Sequence, residues 1–212
     1  GGGRREGKTA VMKGCGEGGT GTDARQDGNQ RRARSGAVMS GVGKLKDDDP
    51  RLTVRDVDTT RQSLRSVVDS RLRITPEAKV LDGGAVLIAT ATQDDAKARA
   101  LKVKGADVVV LPNVEGKVDL MRLTRHLGSI GINEVLVEAG INLDSALLRA
   151  GVVDELLFYL APLLLGDAGR GMLDLGNLTR MEQRLDPDIR HKRRFGPSLR
   201  VLPARGNVCC SP

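Results

Sequence analysis

Short apolar runs alternate with amphipathic stretches along most of this chain, and this alternation limits the fold more than any other feature of the sequence. Val and Leu dominate the runs, as in strands that are covered on both faces. A strand-like run at Ala37–Met39 is followed by five predicted strands: Ser66–Asp69, Ala85–Thr90, Asp107–Leu111, Glu134–Glu138 and Glu155–Ala161. A late apolar run, Leu199–Leu202, is predicted as an antiparallel edge strand.

Three amphipathic stretches between these runs are predicted as helices, and a glycine follows each of them. They are Gln93–Lys104 before Gly105, Val118–Leu127 before Gly128, and Asn142–Ala150 before Gly151, with Asn142 as the N-cap of the last. Strands and helices in alternation predict an α/β fold in which a mostly parallel central sheet carries helices on both faces.

The composition changes near Ser35. Residues 1–34 are rich in Gly, Arg and Gln and have almost no large apolar side chains. Such a segment buries too little surface to offset its ordering entropy, so by itself it is expected to be flexible. We therefore divide the chain into a polar segment over 1–34, an α/β domain over 35–205 and a short tail over 206–212.

The charge and composition exclude several classes of function. A formal net charge of +7 suits anionic ligands, but aromatic residues make up only 1% of the chain, so the stacking partners of nucleic acids are missing. We expect no nucleic-acid partner and, because no apolar run approaches about 20 residues, no membrane span. The start, Gly1–Arg5, lacks the apolar stretch of a signal peptide.

The cysteines and histidines predict neither disulfides nor a metal site. Cys15 and the adjacent pair Cys209 and Cys210 have the spacing of neither a disulfide framework nor a metal site. His126 and His191 are the only histidines, so a zinc site would lack its usual ligands. We expect a reducing, cytoplasmic environment.

The most informative stretch is Asn133–Ala150, NEVLVEAGINLDSALLRA. An apolar strand brings Glu138 to its carboxyl end, Gly140 allows a close turn, and a helix begins at once. A helix N-terminus at the carboxyl end of a strand offers N–H groups to an anion such as a cofactor phosphate. A plain strand-to-helix turn with a solvated or capping Glu138 explains the pattern equally well.

A second stretch, Ser35–Arg55, contains three consecutive carboxylates, Asp47–Asp49, before Pro50. Ligands of a hard cation usually alternate along a loop, so consecutive carboxylates rarely converge on one ion. We interpret this run as an acidic turn in which one residue caps a helix or contacts a ligand.

Four stretches carry a further signal when they are taken in order: RSGAVMSGVGKLKDDDPRLTVR, LRSVVDSRLRITP, INEVLVEAGINLDSALLRAGVVDELLFYLAPLLLGDAGRGM and FGPSLRV. Together they resemble the reductase domain of the bacterial bifunctional riboflavin-biosynthesis deaminase/reductase, and the similarity runs from about Gly7 to about Val201. The resemblance implies a dihydrofolate-reductase-like fold and NADPH as cofactor. It also implies reduction of 5-amino-6-(5-phosphoribosylamino)uracil to its ribitylamino form.

The resemblance also implies roles for single residues. Those at substrate-contacting positions are Arg32, Leu52, Arg55 and Glu138, and those at NADPH-contacting positions are Asp48, Ser70, Gly140, Ile141, Asn142, Leu143, Asp144, Ser145 and Ala146. Two arginines suit a substrate phosphate because a guanidinium binds phosphate oxygens through paired donors. From the residues alone, surface charges are the favoured interpretation of the two arginines. No residue is assigned as the proton donor.

The chain departs from the family pattern mainly before Ser35. Gly16 and Gly18 replace a loop serine and a cofactor-contacting tryptophan, Lys44 replaces a small hydroxyl residue beside the cofactor, and GGGRR replaces an apolar first strand. The zinc-deaminase signature, His-x-Glu followed by Pro-Cys-x-x-Cys, is not in this chain. These departures favour a second hypothesis, a non-catalytic descendant that keeps the fold and a nucleotide- or partner-binding surface.

The apolar stretch Val152–Leu165 bears on the oligomeric state. It predicts a homodimer, which the resemblance also implies. A buried central strand explains the same residues equally well.

Overall fold

The computed structural model describes residues 8–11, 21–59, 61–162, 169–176 and 188–204. Its contacts divide the chain into two compact units, one over residues 28–152 and the other over residues 1–27 together with 153–212. This division differs from the sequence-based boundary after residue 34. The beginning and the end of the chain share one unit because β1, Lys8–Val11, pairs antiparallel with β8, Gly169–Gly171.

A five-stranded parallel sheet forms the centre of the unit over residues 28–152. Its strands are β2 (Ala37–Gly41), β3 (Leu64–Val68), β4 (Val86–Thr90), β5 (Ala106–Val110) and β6 (Val135–Val137). Their spatial order is β5-β4-β3-β2-β6, and all neighbours are parallel. The prediction of a mostly parallel α/β sheet is therefore confirmed.

Among the described residues, three helices and one short 3-10 helix lie in the connections between these strands, and a fourth helix follows β6. The helices are α2 (Val42–Asp48), α3 (Asp95–Val103), α4 (Leu120–Ser129) and α5 (Ile141–Arg149), and the 3-10 helix is Lys79–Leu81. The chain steps in one direction from β2 to β5 and returns to the other side of β2 at β6. Because such crossovers are right-handed, the two directions place helices on opposite faces of the sheet.

Two predicted helix ends are wrong. The N-cap of α5 is Gly140, not Asn142, because the extended backbone of Gly140 (φ −109°, ψ 174°) already has cap geometry. Gly128 lies inside α4, and the left-handed glycine that follows this helix is Gly131, with φ of 86°. Gly105 and Gly151, with φ of 83° and 69°, confirm the other two stops.

Within the segment that by itself is expected to be flexible, the structure describes regular secondary structure at residues 22–34. Helix α1, Thr22–Arg34, occupies them. Its charges suit the helix dipole, with Asp23 in the first turn and a cluster of arginines in the last. Since only Ala24 is buried in this helix, polar tertiary contacts take the place of an apolar stripe. Gly16, Gly18, Cys15 and GGGRR lie outside the described residues.

A second sheet in the other unit is antiparallel. Its strands are β7 (Phe158–Leu160), β9 (Asp188–Phe195) and β10 (Ser198–Ala204), in the order β7-β10-β9. The predicted late strand Leu199–Leu202 belongs to β10, which lies in the middle, whereas β9 lies at the edge. The exposed charged side chains of β9 suit an edge, because charge there opposes pairing with other chains.

Candidate functional site

The carboxyl ends of β2 and β6 mark the point where the strand order reverses. From β2 the chain continues to β3 on one side, and β6 joins β2 on the other. Helix α2 begins directly after β2, and α5 begins soon after β6. In open α/β sheets, ligands bind in the crevice at such a switch point. The sequence-predicted turn around Gly140 lies at this switch point.

Glu138 is fixed at the end of β6 through its backbone. Its N–H donates to the Met39 carbonyl at 2.8 Å, and the buried Ser40 hydroxyl donates to the Glu138 carbonyl at 2.8 Å. Both bonds join Glu138 to β2, the strand that pairs with β6. The carboxylate therefore projects from a backbone that two strands hold in place.

Arg32 of α1 forms a two-pronged ion pair with Glu138. Nε of Arg32 donates to Oε1 and Nη2 donates to Oε2, each at 2.5 Å. The side chains are 22% and 24% exposed, so the pair lies at the edge of solvent. The hydrogen bond to Glu138 raises the pKa of the Arg32 guanidinium, although burial acts in the opposite direction. Two of the predicted substrate residues are thus in direct contact.

The other two predicted substrate residues follow α2. The side chain of Leu52 is 2% exposed and packs in the apolar core, so only its backbone can meet a ligand. Its φ of 53° is unusual for leucine. The next carbonyl, that of Thr53, accepts from Nη1 of Arg32 at 3.4 Å. Arg55 is exposed two residues further on.

The first turn of α5 lies beside the end of β2. A Cβ at Gly41 would be 3.4 Å from Cδ2 of Leu143, so α5 packs closely on this strand end. No side chain caps the helix at Gly140, and no atom lies within 4 Å of the position that a Cβ would take there. Backbone N–H groups at a helix start suit an anionic group such as a phosphate.

Charged side chains line the neighbouring part of α2. Nζ of Lys44 is 2.7 Å from Oδ2 of Asp48, one of the predicted cofactor residues. Burial raises the pKa of Asp144, in the first turn of α5, to about 6, and the charge of Lys44 opposes this shift. Lys44 is thus electrostatically coupled to two carboxylates at predicted cofactor positions.

Ser70, another predicted cofactor residue, follows β3 at the same edge of the sheet. Its hydroxyl oxygen accepts from the Val118 N–H at 3.1 Å, and its carbonyl accepts from the Ala91 N–H at 3.1 Å. The buried carboxylate of Asp69 accepts from the Ile74 N–H at 2.7 Å. Ser70 therefore joins three segments of the chain, while its hydroxyl hydrogen can still be donated.

Sequence reasoning missed three groups at this site. Two of them contact Nη1 of Arg32, namely Oδ1 of Asn29 and the Thr53 carbonyl, each at 3.4 Å. The third, the Ser40 hydroxyl, holds the backbone of Glu138. A serine inside the apolar run of β2 was the one available signal. The sequence gives no signal for the other two, because a single polar asparagine and a backbone carbonyl occur throughout any chain.

The donors at the crevice fit an anionic dinucleotide better than a metal ion. Backbone N–H groups at α5, the Lys44 ammonium and the Ser70 hydroxyl match phosphate and ribose oxygens. Among the described residues, no group of three or more His, Cys, Asp or Glu side chains is placed to bind a metal. Within the same residues, no helix is long and apolar enough to cross a membrane.

Comparison with known proteins agrees with this architecture. Residues 6–197 match the family model of the RibD C-terminal domain. The chain belongs to the RibD C-terminal domain family. Its relatives include the riboflavin biosynthesis protein RibD of Escherichia coli, 34% identical over 206 residues, which cover 92% of this chain and 55% of that protein. The RibD of Haemophilus influenzae is 35% identical over 190 residues, which cover 83% of this chain and 49% of the relative. The chain thus spans about half the length of these relatives.

Solved structures support the same family. Acinetobacter baumannii RibD superposes with a TM-score of 0.81 at 29% identity, covering 94% of this chain and 55% of that one. The Saccharomyces riboflavin biosynthesis reductase Rib7 superposes with a TM-score of 0.71 at 15% identity, covering 95% of this chain and 85% of Rib7. The second likeness concerns the fold alone. The resemblance seen in the sequence and the dihydrofolate-reductase-like fold are confirmed.

Proposed function

We propose that this chain reduces 5-amino-6-(5-phosphoribosylamino)uracil to its ribitylamino form with NADPH. Membership of the RibD C-terminal domain family supports the proposal. The observation that carries it is the pairing of Arg32 with Glu138 at the switch point of the sheet, beside the uncapped start of α5. A guanidinium group and a helix N-terminus, both of which suit a phosphate, thus lie near the same switch point of the sheet.

In this proposal the two anionic ligands use different parts of the crevice. Asp48, Ser70 and the turn Gly140–Ala146 hold NADPH, and Arg32, Arg55, Glu138 and the backbone at Leu52 hold the pyrimidine. When bound, the nicotinamide supplies a hydride to C1′ of the ribose. The protein binds and orients the two reactants, which by itself accelerates a reaction between them.

The reaction also needs a proton. Both carboxylate oxygens of Glu138 already accept hydrogen bonds from Arg32, and no other residue is assigned as a proton donor. We therefore assign the proton to water or to a group of the substrate.

The second hypothesis, a non-catalytic descendant with a nucleotide- or partner-binding surface, has one observation in its favour. The Lys44 ammonium contacts Asp48, so a carboxylate proposed to hold the cofactor already has a partner. An active enzyme requires this ion pair to open or to bind the cofactor as a unit.

The oligomeric state and location are also part of the proposal. We propose a cytoplasmic homodimer in which the stretch Val152–Leu165 contributes to the interface. Leu160 supports this, because it is a large apolar side chain that is 45% exposed on β7, at an edge of the antiparallel sheet among the described residues.

The test is direct. The purified chain should oxidise NADPH when given the phosphoribosylamino-pyrimidine, and product should accumulate in equal amount. Parallel assays with the still-aminated pyrimidine and with NADH identify the preferred substrate and cofactor. NADPH binding without turnover of either pyrimidine would favour the non-catalytic descendant. Absence of both binding and turnover would reject the proposal.

A further inference from the structure

Strand β9 carries a run of positive charge. Its residues 190–194 are all basic, in the order Arg-His-Lys-Arg-Arg, and its one acidic residue is Asp188 at the first position. All five of these basic side chains are exposed. In the part of the chain that the structure describes, no carboxylate forms an ion pair with any of them. The strand is therefore a concentrated positive surface that suits an anionic partner.

The basic side chains of β9 lie on both faces of the antiparallel sheet, because successive residues of a strand alternate between faces. Arg194 is paired with Leu199, whose side chain is 36% exposed on one face. Arg193 is paired with Arg200, on the face that contacts Asp27 of α1. A flat partner, such as a lipid surface, would meet only one of these faces. An added strand would continue both.

The outer side of β9 also offers backbone hydrogen-bonding groups. The strand is eight residues long and pairs with β10 on one side. Within the described ranges, no strand pairs with its other side. Alternate residues of such an edge strand direct their N–H and C=O groups away from the sheet. Another extended polypeptide offers both donors and acceptors at the matching spacing, as in strand addition.

The charge of β9 selects among the strands that could pair with it. If two copies of β9 were paired, cations would lie opposite cations, which is unfavourable. Acidic side chains opposite residues 190–194 would instead form cross-strand ion pairs on both faces. The charge that opposes pairing with a second copy thus favours an acidic strand.

We propose that β9 is a docking edge for an extended, acid-rich segment of another protein, which adds to the sheet as a further strand. The segment pairs its backbone with the outer side of β9 and its carboxylates with the cations on both faces. This proposal does not depend on the proposed reduction. It is also independent of a homodimer at β7, which is the opposite edge of the same sheet.

A capped nonapeptide of three Val-Glu-Glu repeats is the probe, because its extended form presents carboxylates on both faces. Fluorescence anisotropy measures its affinity for the full chain, and hydrogen exchange by nuclear magnetic resonance follows the amides of β9. We expect saturable binding that weakens as salt is added, with new protection at alternate residues of β9, the pattern of one added strand. Absence of binding, or binding without this alternation, would overturn the proposal.

A second peptide separates strand addition from attraction of a polyanion. The same sequence methylated on every backbone nitrogen keeps its charges and loses its hydrogen-bond donors. It should bind about ten-fold more weakly or worse. Equal affinity of the two peptides would overturn strand addition. So would tighter binding, at the same salt, to a single-stranded oligonucleotide or to vesicles containing phosphatidylserine. These measurements use the parent chain alone, so they stand even where a variant fails to fold.

Charge reversals test the two faces. Arg193→Glu and Arg194→Glu change neighbouring residues on opposite faces, and each should weaken peptide binding about five- to ten-fold through like-charge repulsion. Arg122→Glu on α4 is the matched control, because Arg122 is exposed and the change in net charge is the same. It should alter affinity by less than about two-fold. Equal losses in all three variants would mean that only net charge matters, and a loss confined to one face of β9 would indicate a flat partner. Either result would overturn the proposal.

Discussion

At the scale of single residues, the site depends on what each side chain leaves open to a ligand. Gly140 leaves space at the start of α5, Leu52 contributes its backbone because its side chain is in the core, and Asp144 places a half-buried carboxylate beside Lys44. The features at Gly140 and Asp144 are local enough to be changed by one substitution without rebuilding the fold.

Gly140→Val should weaken NADPH binding and leave the protein folded. The Gly140 backbone, at φ −109° and ψ 174°, is open to any residue, and no atom lies within 4 Å of the added Cβ. A larger side chain would therefore obstruct only the approach of the cofactor. Fluorescence titration of NADPH measures the effect. Gly128→Val in α4, where a Cβ also meets open space, is the control. Unchanged affinity in folded Gly140→Val would remove this turn from the cofactor site.

Asp144→Asn should stabilise the protein at pH 8 and have little effect at pH 4. Burial raises the pKa of Asp144 to about 6 in the folded chain, so its ionisation costs stability as pH rises through 6, whereas below the unfolded pKa the cost is absent. The carboxyl is only partly buried, so we expect about 1–2 kcal/mol at pH 8.

Urea unfolding at the two pH values checks this prediction, with Asp47→Asn as the exposed control. Equal stability of the parent and Asp144→Asn at pH 8 would mean that Asp144 is well solvated.

At the scale of secondary-structure elements, α1 shows how a helix with almost no apolar face is held. Near its middle, Asp27 accepts from the Tyr159 hydroxyl on β7 and from Nη1 of Arg200 on β10, the latter at 2.8 Å to both oxygens. The Arg200 and Asp27 side chains are 13% and 12% exposed. The guanidinium of Arg200 also lies 4.9 Å from the centre of the Phe195 ring. These contacts join α1, at Asp27, to the antiparallel sheet.

Arg200→Met should lower the free energy of unfolding by about 3 kcal/mol, because it removes a guanidinium that pairs with both oxygens of the nearly buried Asp27 carboxylate. Tyr159→Phe should cost about 1 kcal/mol, the value of one hydrogen bond. Arg193→Met is the matched control, since Arg193 also lies over Phe195, at 5.1 Å, but is exposed. Equal losses in Arg193→Met and Arg200→Met would show that the aromatic contact, and not the Asp27 pair, matters.

At the scale of the whole molecule, the oligomeric state is open to a simple test. If Leu160 on β7 lies in a homodimer interface, light scattering should give about twice the chain mass of 22.6 kDa, and Leu160→Lys should shift the population to monomer. Ile189→Lys is the control, because Ile189 is equally apolar and exposed on the opposite edge of the same sheet. A parent that stays monomeric at all concentrations would contradict the homodimer.

The sequence by itself determined the features that depend on neighbours along the chain. Apolar runs dominated by Val and Leu predicted the strands of the central sheet, and the turn at Glu138 and Gly140 followed from one strand running directly into one helix. Both follow from periodicity and backbone preferences, which act over a few residues. The ordered motifs likewise identified the family before any fold was known.

Only the tertiary structure decided the features that join distant parts of the chain. Arg32 and Glu138 are 106 positions apart, and no local pattern indicates that they meet. Helix α1 lacks the apolar stripe that sequence reasoning depends on, Leu52 enters the core from a polar loop, and β10 takes the centre of its sheet because partners pair on both sides of it. Polar contacts and the order of strands depend on which surfaces of the folded chain meet. Hydrophobic periodicity is a local property and carries no information about those tertiary contacts.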